Sequence, residues 1–302
     1  MTDLVPDSER QGLIGALPAV ARPYASLMRV DRPIGTWLLF WPCAWGLLLA
    51  GMGGRWYLLG WFLVGAFAMR SAGCVYNDLV DRELDAKVAR TRLRPLASGR
   101  VSVRAAWTLI ALLCAIGLIV LFQLPLVAQL TALASVGLVA AYPFMKRITW
   151  WPQAWLGLVF SWGALVGWAS ITGGLEPAGW WLWVGSVFWV VGYDTLYAIQ
   201  DKEDDALVGV RSSARRLGRR AALGVGLFYL AALAGWSMAI WSIRPEPLAL
   251  VALVPAAAHL LRQVLSADPD DGDKALALFR SNRFTGLLLA LGFAAVGLSS
   301  AA

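Results

Sequence analysis

Histidine occurs once in this chain of 302 residues, and cysteine three times. A single His259 cannot build a histidine-based metal site or a Ser-His-Asp triad. Cys43, Cys74 and Cys114 stand singly in or beside apolar stretches, so their spacing supports neither a disulfide framework nor a zinc site. Charge is scarce too. Asp, Glu, Lys and Arg make up 15% of the residues, against about 25% in an ordinary soluble domain. That scarcity argues against a soluble enzyme, a disordered chain and a nucleic-acid binder. Residues 1–31 are polar and mixed in charge, with neither the apolar core of a secretory leader nor an Arg/Ser-rich, acid-poor transit pattern.

What is abundant is apolar surface: 59% of the residues are hydrophobic. About 20 apolar residues cross about 30 Å of hydrocarbon as a helix. Nine stretches qualify, near 33–51, 57–76, 105–123, 126–144, 153–172, 179–198, 221–241, 247–265 and 284–300. The chain is therefore expected to be an all-α polytopic membrane protein, with a cytoplasmic N-terminal segment at 1–32 and a single nine-helix domain at 33–302. Charge asymmetry sets the orientation. Of 26 Lys and Arg, only Arg55 and Arg244 fall on the outer side, and Arg70 lies within a span, leaving 23 on the side of the N-terminus. Positive segments stay inside, so the N-terminus is expected in the cytoplasm and the C-terminus opposite. Tryptophan occurs 17 times. Clusters such as Trp150/Trp151 and Trp180/Trp181/Trp183 fall at span ends, where an interfacial aromatic belt belongs.

Two of the inner segments carry acidic rows. The second span runs into Asn77-Asp78-Leu79-Val80-Asp81-Arg82-Glu83-Leu84-Asp85, with Asn77, Asp81 and Asp85 four residues apart. The sixth runs into Asp201 and Asp205, again four apart, with Asp194 two turns deeper and Tyr197 one turn below Asp201. Such spacing stacks side chains along one side of a helix. Stacked carboxylates repel by about 0.2–0.5 kcal/mol per exposed pair, and by more as they leave water. A divalent cation removes the objection. Carboxylate and amide oxygens are hard ligands suited to Mg²⁺, which also takes phosphate oxygens and water. Arg90, Arg92, Arg94 and Arg100 follow the first row and Arg211 the second, and guanidinium forks suit phosphate.

The bland alternative is a set of solvated loop charges that fix topology. A rival of another class is a cation-coupled secondary transporter. Transporter sites usually lie near the bilayer midplane, whereas these acids lie at its cytoplasmic edge. Arg70, inside the second span, is costly there and marks a functional site by default. It holds a substrate carboxylate, pairs with Asp194, or only ties helices together.

The stretch MRSAGCVYNDLVDRELDAKVARTRLRPLASG at 69–99 resembles the first signature of the UbiA superfamily of intramembrane prenyltransferases, N-D-x-x-D-x-x-x-D. GYDTLYAIQDKEDDALVGVRSS at 192–213 resembles the second, D-x-x-x-D preceded by a tyrosine. RVDRPIGTWLLFWPCAWGL at 29–47, AYPFMKRITWWPQAWLG at 141–157 and FRSNRFTGLLL at 279–289 narrow the resemblance to the members that prenylate 4-hydroxybenzoate in ubiquinone biosynthesis. Arg211-Ser212-Ser213 stands where relatives often carry Lys-Ser-Thr, which keeps the charge and a hydroxyl.

The resemblance implies nine helices and a Mg²⁺-dependent transfer from a polyprenyl diphosphate to the ring carbon ortho to the phenol of 4-hydroxybenzoate. It implies a site at the cytoplasmic face of a bacterial inner (plasma) membrane. It also implies roles residue by residue. Asn77 and Asp81 would bind one metal and Asp201 and Asp205 another, with Asp85 close to both. Asp81, Asp201 and Arg70 would carry catalysis. Asp78, Arg94, Lys146, Arg147, Asp194, Tyr197 and Arg211 would join Arg70 in holding substrate, and Asp204 would sit behind the metal ligands. Arg29, Asp31 and Arg32 open the first span and would admit the aromatic acid. A naphthoate, homogentisate or haem acceptor stays open, because the metal motifs do not separate them.

Overall fold

The computed structural model describes residues 14–87, 91–207 and 209–300, without the side chains of Asp204, Leu207 and Ser300. Arg10 and Arg90 lie outside the described residues. Among the described residues the regular structure is helical. The helices are α1 (Arg22–Leu27), α2 (Ile34–Leu49), α3 (Tyr57–Val80), α4 (Arg82–Asp85), α5 (Val103–Leu121), α6 (Leu126–Ala134), α7 (Val136–Ile148), α8 (Pro152–Ser161), α9 (Gly163–Thr172), α10 (Pro177–Gln200), α11 (Lys202–Leu207), α12 (Ser213–Leu217), α13 (Ala221–Ile243), α14 (Val254–Ser266) and α15 (Gly272–Ser300). Short 3₁₀ turns precede α13 and α14.

Local chemistry sets many boundaries. Prolines open α8 and α10, where the missing N–H would have had no helical partner. Gly173 ends α9 in the left-handed conformation, φ 74°, open to glycine at little cost. Among the described residues eight helical stretches are long and apolar enough to cross a membrane, against nine expected from composition. The first expected span forms α2, an apolar helix of 16 residues. Residues 126–148 and 152–172 each cross as two helices in series, broken at Ser135 and Trp162.

The last helix begins twelve residues earlier than expected. Asp273, Lys274, Arg280 and Arg283 read as loop charges, yet α15 carries them. The Asp271 carboxylate accepts from the Lys274 backbone N–H at 2.9 Å and caps its first turn. This is an integral membrane protein.

Packing divides the helices into two units. One comprises residues 1–37 and 63–121, the other residues 38–62 and 122–302. In the first, Leu27, Val75, Leu96, Val101 and Ala106 form a buried cluster. Leu96 and Val101 belong to the segment after the first acidic row, so that segment is anchored by apolar burial and holds its arginines in place.

In the second unit, Trp45, Trp189, Trp236 and Phe293 interlock with ring centroids 4.9–6.4 Å apart. All four are fully buried, so these tryptophans are core, whereas Trp150, Trp180 and Trp181 stay exposed as a belt requires. Helices α10 and α13 pack through glycine. A methyl group on Gly235 would lie 2.7 Å from the Gly185 backbone. Such small-residue contacts replace the hydrophobic drive that lipid removes. His259 Nδ1 lies 2.8 Å from the Thr285 hydroxyl and plays a packing role between α14 and α15.

Candidate active site

The two acidic rows are not continuous helices. Helix α3 stops at Val80, and Asp81 takes φ −92°, ψ 1° before α4 begins. Helix α10 stops at Gln200, and Asp201 takes φ −97°, ψ 1° before α11. Both are in the sparsely populated bridge region. Aspartate tolerates this because its short polar side chain competes with helical hydrogen bonding. The short helix after each break is tied back to the aspartate in the same way. Asp85 N–H donates to the Asp81 carbonyl at 2.8 Å, and Asp205 N–H to the Asp201 carbonyl at 2.8 Å. The straight i, i+4, i+8 ladder expected from spacing is thus corrected to a ladder bent at its middle carboxylate.

In the first unit, the Asn77 amide donates to Asp81 at 3.1 Å, which leaves its carbonyl oxygen directed away from that bond. Asp78, Asp81 and Asp85 are all buried. Asp78, expected to touch substrate, is held by Arg29. Both of its oxygens accept from Arg29 Nη2, at 2.8 and 3.0 Å, with 8% and 1% of the two side chains exposed. Arg94, expected on diphosphate, bridges Asp85 at 2.9 Å and Asp78 at 3.3 Å. Burial raises the Asp85 carboxyl above the ordinary range. Arg94 pulls it down, and the Asp78 and Asp81 charges push it up again. Spacing could not reveal the Arg29–Asp78 pair, because the partners are 49 residues apart.

Deeper in α3, Arg70 is half-buried, and among the described residues its one polar partner is the thiol of Cys74, at 2.8 Å from Nη1.

In the second unit, Arg211 donates to the Ile148 carbonyl at 2.7 Å, and its backbone N–H donates to the Lys146 carbonyl at 3.2 Å. Arg211 and Arg215 both lie over the exposed Trp150 ring, at 5.8 and 5.4 Å. Arg215, not singled out from the sequence, also donates to the Asp205 carbonyl at 3.2 Å. Lys146 and Arg147 sit in the last turn of α7. The Tyr197 ring packs on Phe279 with centroids 4.9 Å apart. Asp194, Tyr197, Asp201 and Asp205 are each part-exposed. In the first unit, Asp31 is buried, 3.3 Å from Arg32.

Among the described residues no three acids, histidines or cysteines converge into a ready-made cage. Mg²⁺ usually takes one or two carboxylates and fills its shell with water and substrate phosphate. The donors present are hard oxygens of the kind Mg²⁺ takes, and Arg29 and Arg94 already offset part of the negative charge that gathers around Asp85.

Residues 39–298 match the UbiA prenyltransferase family. The chain is 44% identical over 288 residues to the mitochondrial 4-hydroxybenzoate polyprenyltransferase of Drosophila melanogaster, covering 94% of this chain and 74% of the fly protein. It shares its fold with a UbiA homolog from Aeropyrum pernix K1, with TM-score 0.69 and 24% identity over 85% of this chain and 96% of that one. It also shares it with a UbiA homolog from Archaeoglobus fulgidus bound to GPP and Mg²⁺, with TM-score 0.68 and 19% identity over 92% and 99% of the two chains. The chain belongs to the UbiA prenyltransferase family.

Proposed function

We propose that this protein transfers a polyprenyl group from polyprenyl diphosphate to 4-hydroxybenzoate, releasing diphosphate, as a step of ubiquinone biosynthesis. The observation that carries the reading is the repeated device at Asp81 and Asp201, an acidic row bent at its central carboxylate, in a chain so similar to a 4-hydroxybenzoate polyprenyltransferase. In the reaction the allylic C–O bond breaks and its electron pair leaves with diphosphate. The ring carbon ortho to the phenol forms the new C–C bond and then loses its proton.

Asn77 and Asp81 would hold one Mg²⁺ and Asp201 and Asp205 another, with Asp85 close to both. When bound, Mg²⁺ supplies charge stabilisation for the departing diphosphate. Lys146, Arg147 and Arg211 add positive charge for the same group. Arg70 holds the carboxylate of the aromatic acid, and Asp194 and Tyr197 line the pocket. Asp78 and Arg94 serve through their ion pairs, which brace the first row. An apolar intramembrane setting suits a long isoprenoid tail and keeps water from the allylic cation.

The topology we propose has nine spans, counting α2, in one domain from 33 to 302. The N-terminal segment 1–32 and the active site face the cytoplasm of a bacterium, across its inner membrane. The 23 inner basic residues support that orientation. The test is a membrane assay with labelled 4-hydroxybenzoate, naphthoate and homogentisate against prenyl diphosphates of several lengths. Product from 4-hydroxybenzoate alone is expected. Preference for another acceptor overturns the substrate assignment, and no prenylated product from any acceptor overturns the reaction.

A further inference from the structure

Glycine at the second position of α2 calls for a reason. Glycine loses more backbone freedom on folding than any other residue. Gly35 does not take a positive φ, so conformational freedom is not the reason. Close approach is. The Arg70 guanidinium lies across Gly35, and a methyl group there would come within 2.7 Å of Nη2 and 2.9 Å of Cζ. Ordinary contact between such atoms needs about 3.5–4.0 Å. On the other side the Cys74 thiol, one turn on from Arg70, takes Nη1 at 2.8 Å. A thiol is a weak acceptor and carries no compensating charge. The arginine is thereby oriented without being neutralised, in a setting where an uncompensated cation is costly.

We infer that Gly35 and Cys74 form a cradle that positions Arg70 for the carboxylate of the aromatic acceptor, making Gly35 a determinant of acceptor specificity. The inference rests on the reading that Arg70 holds that carboxylate. The obstructed group is the far end of a flexible side chain, so Gly35→Ala moves the guanidinium while the helices stay packed.

The experiment uses the full-length protein in membranes, with 4-hydroxybenzoate, its neutral analogue 4-hydroxybenzamide, and geranyl diphosphate. Gly35→Ala is expected to raise KM for 4-hydroxybenzoate about tenfold, the loss of a charged hydrogen bond, while KM for geranyl diphosphate moves less than about twofold. The preference for acid over amide narrows accordingly. The Gly35→Ala/Arg70→Ala double variant is expected to be no worse toward the acid than Arg70→Ala alone, since both act on one group. Cys74→Ala shifts KM in the same direction by about threefold, and it serves as the test if Gly35→Ala does not insert. Unchanged acid KM in Gly35→Ala, or in Cys74→Ala where that variant stands in, overturns the inference. So does an equal rise for both substrates. If Arg70→Ala retains the acid preference, the carboxylate reading fails and takes the cradle with it. If Arg70→Ala loses that preference while Gly35→Ala keeps it, only the cradle falls.

Discussion

The two acidic rows are the same local device in different surroundings. Each is a membrane helix that breaks at an aspartate near φ −95° and resumes as a short helix carrying the next carboxylate four residues on. Around the first row, Arg29 and Arg94 bind carboxylates directly, and those pairs are largely buried. Around the second, Arg211 and Arg215 bind backbone carbonyls and the face of Trp150. One set of arginines braces acids. The other ties the chain that presents them, through backbone carbonyls and the Trp150 ring. Equal motifs therefore do not imply equal tolerance of substitution in the residues beside them.

That contrast can be broken or sharpened by experiment. The largest effect belongs to what the rows share. Stripping divalent ions with a chelator should abolish prenyl transfer and added Mg²⁺ should restore it, and activity that survives chelation would remove the metal from the mechanism. Next, Asp81→Ala and Asp201→Ala should each lower turnover by at least about 10²-fold with insertion intact. Unequal losses would show that the two breaks are not equivalent. Third, Arg29→Ala should lower thermal stability in detergent by about 1–3 kcal/mol, because it leaves the buried Asp78 carboxylate only its longer contact with Arg94. A melting temperature like that of the parent would mean that water already relieves Asp78. The smallest effect is assigned to Arg215→Ala, about 1 kcal/mol or less, since it gives up hydrogen bonds to carbonyls and a part-exposed ring contact. A loss as large as that of Arg29→Ala would erase the distinction between the rows.

Much of the helical frame was legible as composition. Apolar length and the sidedness of Lys and Arg are additive along the chain, so no tertiary information is needed to place most spans. The start of α15 at Gly272 is hidden in the sequence because Asp273 to Arg283 look like loop chemistry, and a helix that reaches beyond hydrocarbon can carry charge. The bends at Asp81 and Asp201 are not visible in the sequence, because a four-residue spacing reads alike in a straight helix and in one that pauses for a residue. The resemblance puts Arg94 and Asp78 on substrate, and the structure shows them in contact with each other, since a charge beside a motif announces affinity for its opposite and not which opposite it meets.

Residue order alone determined that this chain lives in a bilayer, which ends of its spans carry charge, and that two rows of hard oxygen donors recur at four-residue spacing. Hydrophobicity and spacing are local quantities. Tertiary structure decided that Arg29 neutralises Asp78, that a tryptophan cluster is core and not belt, and that the bare face of Gly35 lies under Arg70. Each of these depends on which distant side chains share a few ångströms, and close packing settles that only once the helices have met.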